Sequence, residues 1–94
     1  HIPEIKDLNV LPFYRKNGIG TALIAMAESC AFRYSTKIGL GSGVYRDYGN
    51  AQKLYHSLGY VPDGNGITAY YKPAKPGKSL MLDDELCIWF VKSL

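Results

Sequence analysis

The sequence has few cysteines, no long apolar run and no large excess of either charge. Its two cysteines, Cys30 and Cys87, have no metal-ligand spacing around them, and we expect both to be small buried side chains in a reducing compartment. No apolar run approaches the length of a membrane span. A net charge of +3 suits an anionic cofactor but argues only weakly for nucleic acid. The 94 residues therefore predict one small cytoplasmic domain with a packed core and no metal site.

Two glycines lie in the stretch Arg15–Thr21, at the start of a periodic helical segment. Because Gly18 and Gly20 have no Cβ, a ligand can approach the main chain closely at these positions. The first N–H groups of the helix have no intrahelical partner, and the helix dipole is positive at this end. Arg15 and Lys16 add cationic donors. The stretch predicts a phosphate or pyrophosphate site, with an ordinary glycine-rich start of a surface helix as the alternative.

The first half of the chain predicts a strand followed by a long helix. Within Ile2–Val10 the apolar alternation slips by one residue, which predicts a β-bulge near Asp7 and leaves main-chain groups of Leu8 to Val10 available to a ligand. The helix begins at Ile19 and ends within Arg33–Thr36. Its apolar positions, which we expect to face the core, are Ile19, Ala22, Leu23, Met26, Ala27, Cys30, Ala31 and Tyr34.

A second strand and a second helix follow. The strand is predicted at Ile38–Tyr45, and its alternating glycines leave a bare face that admits another backbone or a ligand. Asp47 can cap the helix, and Gly59 is predicted to end it, with Tyr60 closing the end by a hydrophobic contact. The apolar positions of this helix are Ala51, Leu54, Tyr55 and Leu58, and the strand glycines are Gly39, Gly41 and Gly43.

The remaining residues predict two more strands. One begins at Tyr60, is interrupted by a Pro62–Gly66 turn and resumes over Ile67–Tyr71, before a loop at Lys72–Ser79. The continuously apolar stretch Leu86–Val91 is typical of a strand covered on both faces. The order β-α-β-α-β-β predicts an α/β fold with a mixed sheet, in which a right-handed parallel crossover pair is followed by an antiparallel pair.

Two spaced motifs accompany these elements. The first, which opens the long helix, is Arg15-x-x-Gly18-x-Gly20, and the second is Asn50-Ala51-x-x-Leu54-Tyr55-x-x-x-Gly59-Tyr60. In this order, after a bulged strand, they resemble the GNAT superfamily of acetyl-CoA-dependent N-acetyltransferases. The resemblance implies that residues 1–94 are the C-terminal portion of a single GNAT domain, without its N-terminal strands and helices.

The resemblance implies an acetyl-CoA cofactor that is held largely by the main chain. Its pyrophosphate would be bound beside Arg15 by the N–H groups of Lys16, Asn17, Gly18, Ile19, Gly20 and Thr21. Its pantetheine arm would pair with Leu8, Asn9 and Val10, and the N–H of Val10 would stabilise the developing oxyanion. Family members often have an asparagine where this chain has Tyr48, so Asn50 is the candidate for that further pantetheine contact.

The resemblance also implies two catalytic residues. Tyr55 occupies the position of the tyrosine that protonates the departing thiolate, and a core aromatic at helical spacing is the alternative. Glu4 lies where some members have a glutamate base, and a solvated or paired surface carboxylate is the alternative. Asp47 and His56 are weaker candidates, because helix capping explains the first and the second lies on the polar helix face.

The implied function is transfer of an acetyl group from acetyl-CoA to a primary amine by direct attack on the thioester. Two alternatives stay open: a non-catalytic CoA-binding module or inactive fragment, and a small basic nucleic-acid-binding domain that stacks bases on its tyrosines. We expect no membrane and no nucleic acid as partners. An unpaired edge at Ile2–Val10 predicts self-association or pairing with the missing N-terminal half.

Overall fold

The computed structural model describes residues 4–5 and 19–94. The predicted succession of strand, helix, strand, helix and two further strands is confirmed, and the two-residue strand β4 is an addition within the predicted Lys72–Ser79 loop. The elements are β1 (Glu4–Ile5), α1 (Ile19–Phe32), β2 (Lys37–Gly43), a short 3-10 helix (Arg46–Tyr48), α2 (Gly49–Ser57), β3 (Val61–Ala69), β4 (Lys72–Pro73) and β5 (Leu86–Ser93).

The strands form one sheet in the order β1-β2-β5-β3-β4. The neighbours among β2, β5, β3 and β4 pair antiparallel, whereas β1 lies parallel to β2, with Glu4 beside Gly39 and Ile5 beside Leu40. The predicted antiparallel pairing of the last two long strands is therefore confirmed. The predicted right-handed crossover is not supported, because residues 6–18 of that connection lie outside the described residues.

One face of the sheet packs against both helices. Leu40 of β2 and Phe90 of β5 are register partners, so their side chains lie on the same face. Both belong to one buried cluster with residues of α1 and of the α2 end, and each member is at most 9% exposed. The cluster consists of Ile24, Ala31, Ile38, Leu40, Tyr55, Tyr60 and Phe90.

The apolar face predicted for α1 is partly wrong. Of the predicted positions, Ala31 is buried in the core, whereas Leu23, Met26 and Cys30 are exposed. Ile24, which the prediction did not include, is buried as well. The helix meets the sheet along a narrow stripe only, and the adjoining apolar stripe points away from the described part of the sheet. Cys30 is therefore an exposed thiol and not the predicted buried side chain.

The C-terminal end of α2 forms as predicted. Gly59 has a φ of +94°, its N–H donates to the His56 carbonyl at 3.0 Å, and the Tyr60 N–H donates to the Tyr55 carbonyl at 3.0 Å. These two bonds define a Schellman motif. The buried Tyr60 ring lies 6.5 Å from the Tyr55 ring, which is the hydrophobic closure that the sequence predicts.

The start of α2 differs from the prediction. Asp47 is exposed within the 3-10 helix, and Tyr48 occupies the capping position without a side-chain cap hydrogen bond. The predicted capping role of Asp47 is therefore wrong, because the extra 3-10 turn moves the start of the helix beyond it. His56 is exposed in the last turn of the helix.

The predicted turn at Pro62–Gly66 lies inside β3 as an irregularity of pairing. The register with β5 shifts between Pro62 and Ile67. The strand ends at Ala69, earlier than predicted, and the two-residue turn to β4 consists of Tyr70 and Tyr71, whose φ angles are 51° and 66°. Both turn residues thus adopt the left-handed conformation of a hairpin turn.

A polar contact joins α1, the end of α2 and β5. Glu28 accepts a hydrogen bond from the Tyr60 hydroxyl at 2.8 Å and forms an ion pair with Lys92 Nζ at 3.0 Å. Replacing Glu28 with Ala removes the partner of both groups, so we expect the free energy of unfolding to fall by about 1–3 kcal/mol. Urea unfolding measures the change, and Glu28→Gln, which keeps an acceptor, should lose less. Equal stability of Glu28→Ala and the wild type would contradict this expectation.

Candidate active site

Most of the predicted cofactor-binding residues lie outside the part of the chain that the structure describes. They are Leu8, Asn9, Val10, Arg15, Lys16, Asn17 and Gly18, and the predicted bulge near Asp7 lies there too. Ile19, Gly20, Thr21 and Asn50 are described. The described part of the site consists of β1, the start of α1, the end of β2 and α2.

The first turn of α1 has no acidic side chain. The helix begins at Ile19, Gly20 is buried, and Thr21 is exposed. Its first turn contains no acidic residue, so no carboxylate of that turn opposes the positive end of the dipole of this 14-residue helix. The unpaired N–H groups that open any helix are therefore compatible with a phosphate-bearing ligand at this position.

Tyr55, the predicted proton donor, lies on the core side of α2. The residue is 8% exposed, and its ring lies 6.5 Å from the Tyr60 ring and 6.2 Å from the Phe90 ring, both edge to face. These contacts give Tyr55 a packing role, and its catalytic role stays a prediction. Asn50 is exposed in the first turn of α2, and its contact with the cofactor also stays a prediction.

Glu4, the predicted base, is exposed on β1 beside Gly39. Because side chains alternate along a strand, Glu4 lies on the opposite face of the sheet from Leu40, which belongs to the same buried cluster as Tyr55. The structure therefore does not bring the two predicted catalytic residues onto one face. The role of Glu4 as a base stays a prediction.

Three side chains meet at the end of β2 in an arrangement that the sequence pattern did not reveal. The hydroxyls of Tyr45 and Tyr48 both donate to Oδ1 of Asp84, and the bond from Tyr48 is 2.8 Å long. The two tyrosine rings pack edge to face with their centroids 5.0 Å apart. We call these residues the tyrosine–aspartate clasp. The clasp joins the connection between β2 and α2 to the segment before β5. Gln52 of α2 adds a bond from its Nε2 to the Gly43 carbonyl at 2.8 Å, so the start of α2 is held from two directions.

The glycines of β2 accommodate aromatic rings of the same chain. A Cβ at Gly41 would lie 3.0 Å from the Trp89 ring, and a Cβ at Gly43 would overlap the Tyr48 ring. The prediction that a ligand or a backbone lies against this bare face is therefore wrong at these two glycines. Their role is to let Trp89 and Tyr48 lie flat against the strand.

The clasp predicts an unusual tyrosine titration. The hydrogen bond that Tyr45 donates to Asp84 raises the pKa of Tyr45 above its ordinary value of 10.0. The hydrogen bond that Tyr48 donates to Asp84, together with burial, raises the pKa of Tyr48 above the same value. Burial and a hydrogen bond to Glu28 raise the pKa of Tyr60 as well. In a spectrophotometric titration at 295 nm, we expect Asp84→Ala to lower the first two values towards 10.0 and to leave Tyr60 unchanged. Unchanged titration of all three tyrosines in Asp84→Ala would contradict the clasp.

The same pKa shifts set the pH range in which the clasp stabilises the fold. The hydrogen bonds from Tyr45 and Tyr48 lower the pKa of Asp84 below its ordinary value of 3.8, so its contribution is present above that pH and is lost as the pH falls through the folded value. The raised tyrosine values make their contribution complete below pH 10.0 and lost as the pH rises through the folded values. The clasp is therefore intact at neutral pH.

The chain matches a family model described as an acetyltransferase (GNAT) domain over residues 1–62. This range covers more than half of the 94 residues and includes both motifs, all the predicted cofactor-binding residues, Glu4 and Tyr55. The mixed α/β fold and the two motifs indicate a protein of the acyltransferase class. The chain belongs to the GNAT acetyltransferase family. Searches of curated proteins and of solved structures found no significant match.

The structure also bears on membrane spanning, on metal binding and on pairing with another chain. Neither helix in the described ranges has the length and apolar character that crossing a bilayer requires. Within residues 4–5 and 19–94, no group of three or more His, Cys, Asp or Glu side chains is arranged to hold a metal ion. The strand β1 lies at an edge of the described sheet, and nothing in the structure supports the predicted pairing of another chain with it.

Proposed function

We propose that the protein transfers the acetyl group of acetyl-CoA to a primary amine by direct attack of the amine on the thioester. The observation that carries this proposal is the family match over residues 1–62, because that range contains both motifs and all the predicted site residues. The start of α1, which is compatible with an anion, supports it.

In this proposal the cofactor lies across the starts of both helices. The N–H groups of residues 16–21, with the Arg15 side chain, would hold the pyrophosphate, and the main chain of residues 8–10 with Asn50 would hold the pantetheine. Bound acetyl-CoA supplies the thioester that the amine attacks. The absence of acidic residues from the first turn of α1 suits this arrangement, because a carboxylate there would repel the phosphates.

Glu4 and Tyr55 divide the proton transfers in this proposal. Glu4 takes a proton from the acceptor amine, which must be neutral to attack, and Tyr55 gives a proton to the leaving sulfur. Glu4 lies on the opposite face of the sheet from Leu40, which shares a buried cluster with Tyr55. The two proton transfers take place at different atoms, because the amine and the leaving sulfur are separate groups.

A non-catalytic CoA-binding module is the second candidate, and the burial of Tyr55 favours it. The side chain is 8% exposed and packs against Tyr60 and Phe90, so its presence in α2 has a sufficient structural reason. In such a module the start of α1 would bind CoA in the same way, and no acetyl group would be transferred.

Separate measurements of binding and of transfer distinguish the two candidates. Isothermal titration calorimetry with acetyl-CoA and with CoA reports binding, and chromatographic detection of released CoA reports transfer to a panel of primary amines. The N,N-dimethyl analogues of those amines serve as non-acceptor controls. We expect binding together with release that depends on the primary amine. Binding without release identifies the non-catalytic module, and no binding contradicts both candidates.

We also propose a cytoplasmic location. Cys30 is exposed, Cys87 is half-buried, and both are free thiols. Free thiols persist in a reducing compartment, whereas an exposed thiol is prone to oxidation outside the cell.

A further inference from the structure

A short part of β3 leaves the pairing with β5. The register passes from Pro62, which pairs with Phe90, directly to Ile67, which pairs with Ile88, and none of the described pairs of these strands includes residues 63–66. We call residues 63–66 the β3 excursion, and all of them are exposed. Because the excursion has no partner in the β5 ladder, its backbone can change conformation while the paired ends of the strand stay in place.

The excursion contains an asparagine that is followed by a glycine. Asn65 is exposed, Gly66 has a φ of +75°, and a Cβ at Gly66 would meet nothing within 4 Å. Because no side chain shields the main-chain nitrogen of Gly66, this nitrogen can approach the side-chain carbonyl carbon of Asn65. The excursion therefore presents an amide side chain that can react with its own main chain.

We propose that Asn65 is a site of spontaneous deamidation. The main-chain nitrogen of Gly66 attacks Cγ of Asn65 and forms a new C–N bond, which closes a succinimide ring. The bond from Cγ to Nδ2 breaks, and the amide nitrogen leaves as ammonia after taking the proton of the Gly66 N–H. Solvent water then opens the ring at either of its carbonyls, which leaves aspartate or isoaspartate at position 65. Water is the only co-reactant, and nothing is oxidised or reduced.

Asp63 restrains this reaction. Its Oδ1 accepts a hydrogen bond from the Asn65 N–H at 2.9 Å, and its Oδ2 accepts one from Nδ2 of Asn65 at 3.1 Å. These two bonds hold the Asn65 side chain in place. The carboxylate also opposes the negative charge that develops on the Gly66 nitrogen as it loses its proton. The rate at Asn65 is therefore set by the opposing effects of Gly66 and Asp63.

The product differs from the starting chain in charge and in local bonding. A carboxylate at position 65 cannot donate to Asp63, and it places a second negative charge beside the first. Isoaspartate also adds a methylene group to the main chain within the excursion, where no pair with β5 has to break. Deamidation therefore lowers the net charge of the chain by one unit and loosens the excursion, while the paired ends of β3 remain.

Mass spectrometry of tryptic peptides tests the proposal, after the 94-residue chain has been incubated in mildly alkaline buffer. The peptide of residues 54–78 contains Asn65 as its only asparagine, and the peptide of residues 47–53 contains only Asn50. Asn50 is the internal control, because it is also exposed but lies in the first turn of α2. We expect Asn65 to become an acid about tenfold faster than Asn50 or more, because the helix has to open before Asn50 can react.

Three variants separate the roles of the two neighbours. Asn65→Gln, whose longer side chain would have to close a larger ring, should show no acid at position 65. Asp63→Ala should raise the rate at Asn65 by about twofold to fivefold, which is the size of one exposed charge interaction. Glu85→Ala removes an exposed carboxylate outside the excursion and should leave the rate unchanged.

Two results would overturn the proposal. One is an equal rate at Asn65 and at Asn50 in the folded chain. The other is a folded chain that forms no acid at Asn65 under conditions in which the urea-unfolded chain does, because the excursion would then protect the amide. A rate in Asp63→Ala at or below that of the wild type would overturn the restraining role of Asp63.

Discussion

Replacing Tyr55 with Phe is expected to lower the rate of acetyl transfer by about 10²- to 10⁴-fold, which is the range for removal of a general acid. The ring that contacts Tyr60 and Phe90 is retained, so the core should keep its packing. Affinity for acetyl-CoA measured by calorimetry should change little, because the hydroxyl would act on the leaving sulfur and not on the phosphates. The rate is followed as released CoA at saturating amine.

Tyr34→Phe is the matched control for this experiment. Tyr34 is 72% exposed beyond the end of α1, so loss of its hydroxyl should leave the transfer rate unchanged. A Tyr55→Phe enzyme with the full rate would remove Tyr55 from the chemistry and leave it with the packing role alone. Loss of rate accompanied by loss of near-ultraviolet circular dichroism would indicate a damaged core and not a missing proton donor.

Replacing Gly43 with Ala is expected to lower the free energy of unfolding by about 1–3 kcal/mol, the usual range for an overpacked position. The added Cβ would overlap the Tyr48 ring, which cannot shift freely because its hydroxyl is bonded to Asp84. The ring has to leave the strand, and the clasp opens. Urea unfolding and the titration of Tyr48 should both report this change.

A second glycine and a double variant separate the clash from the loss of backbone freedom. Gly49 has helical backbone angles, and a Cβ there would meet nothing within 4 Å, so Gly49→Ala should be neutral or stabilising. When Tyr48 is already Ala, the Gly43→Ala change should cost far less than it does in the wild type. Equal costs in the two backgrounds would show that the Tyr48 ring is not the cause.

The parts of the fold that depend on neighbouring residues were predictable from the sequence. The helical spacing from Ile19 onward located α1, and Gly59 followed by Tyr60 located the end of α2 together with its closing contact. Both signals act within one or two helical turns. The match over residues 1–62 likewise follows two motifs that were visible in the sequence as spaced glycines and aromatics.

The parts that depend on distant residues were not predictable. Asp84 lies 39 residues from Tyr45, and no local pattern indicates that an acidic loop residue meets tyrosines at the end of β2. The core side of α1 also depends on which stripe of the helix the sheet reaches. The helical spacing placed Met26 on the core face and left out Ile24, whereas Ile24 is buried and Met26 is exposed. Side-chain alternation likewise could not show that Glu4 and Tyr55 lie on opposite faces until the register of β1 with β2 was known.

The position of β5 in the sheet has a consequence for folding of the chain during its synthesis on the ribosome. Among the five described strands it is made last, yet it lies between β2 and β3 and pairs with both. While the earlier residues emerge, β2 and β3 have no strand between them, so only the β1–β2 and β3–β4 pairs can form before β5 is made. A nascent chain stalled before Leu86 would leave two open strand edges, which are sites for chaperone capture or aggregation.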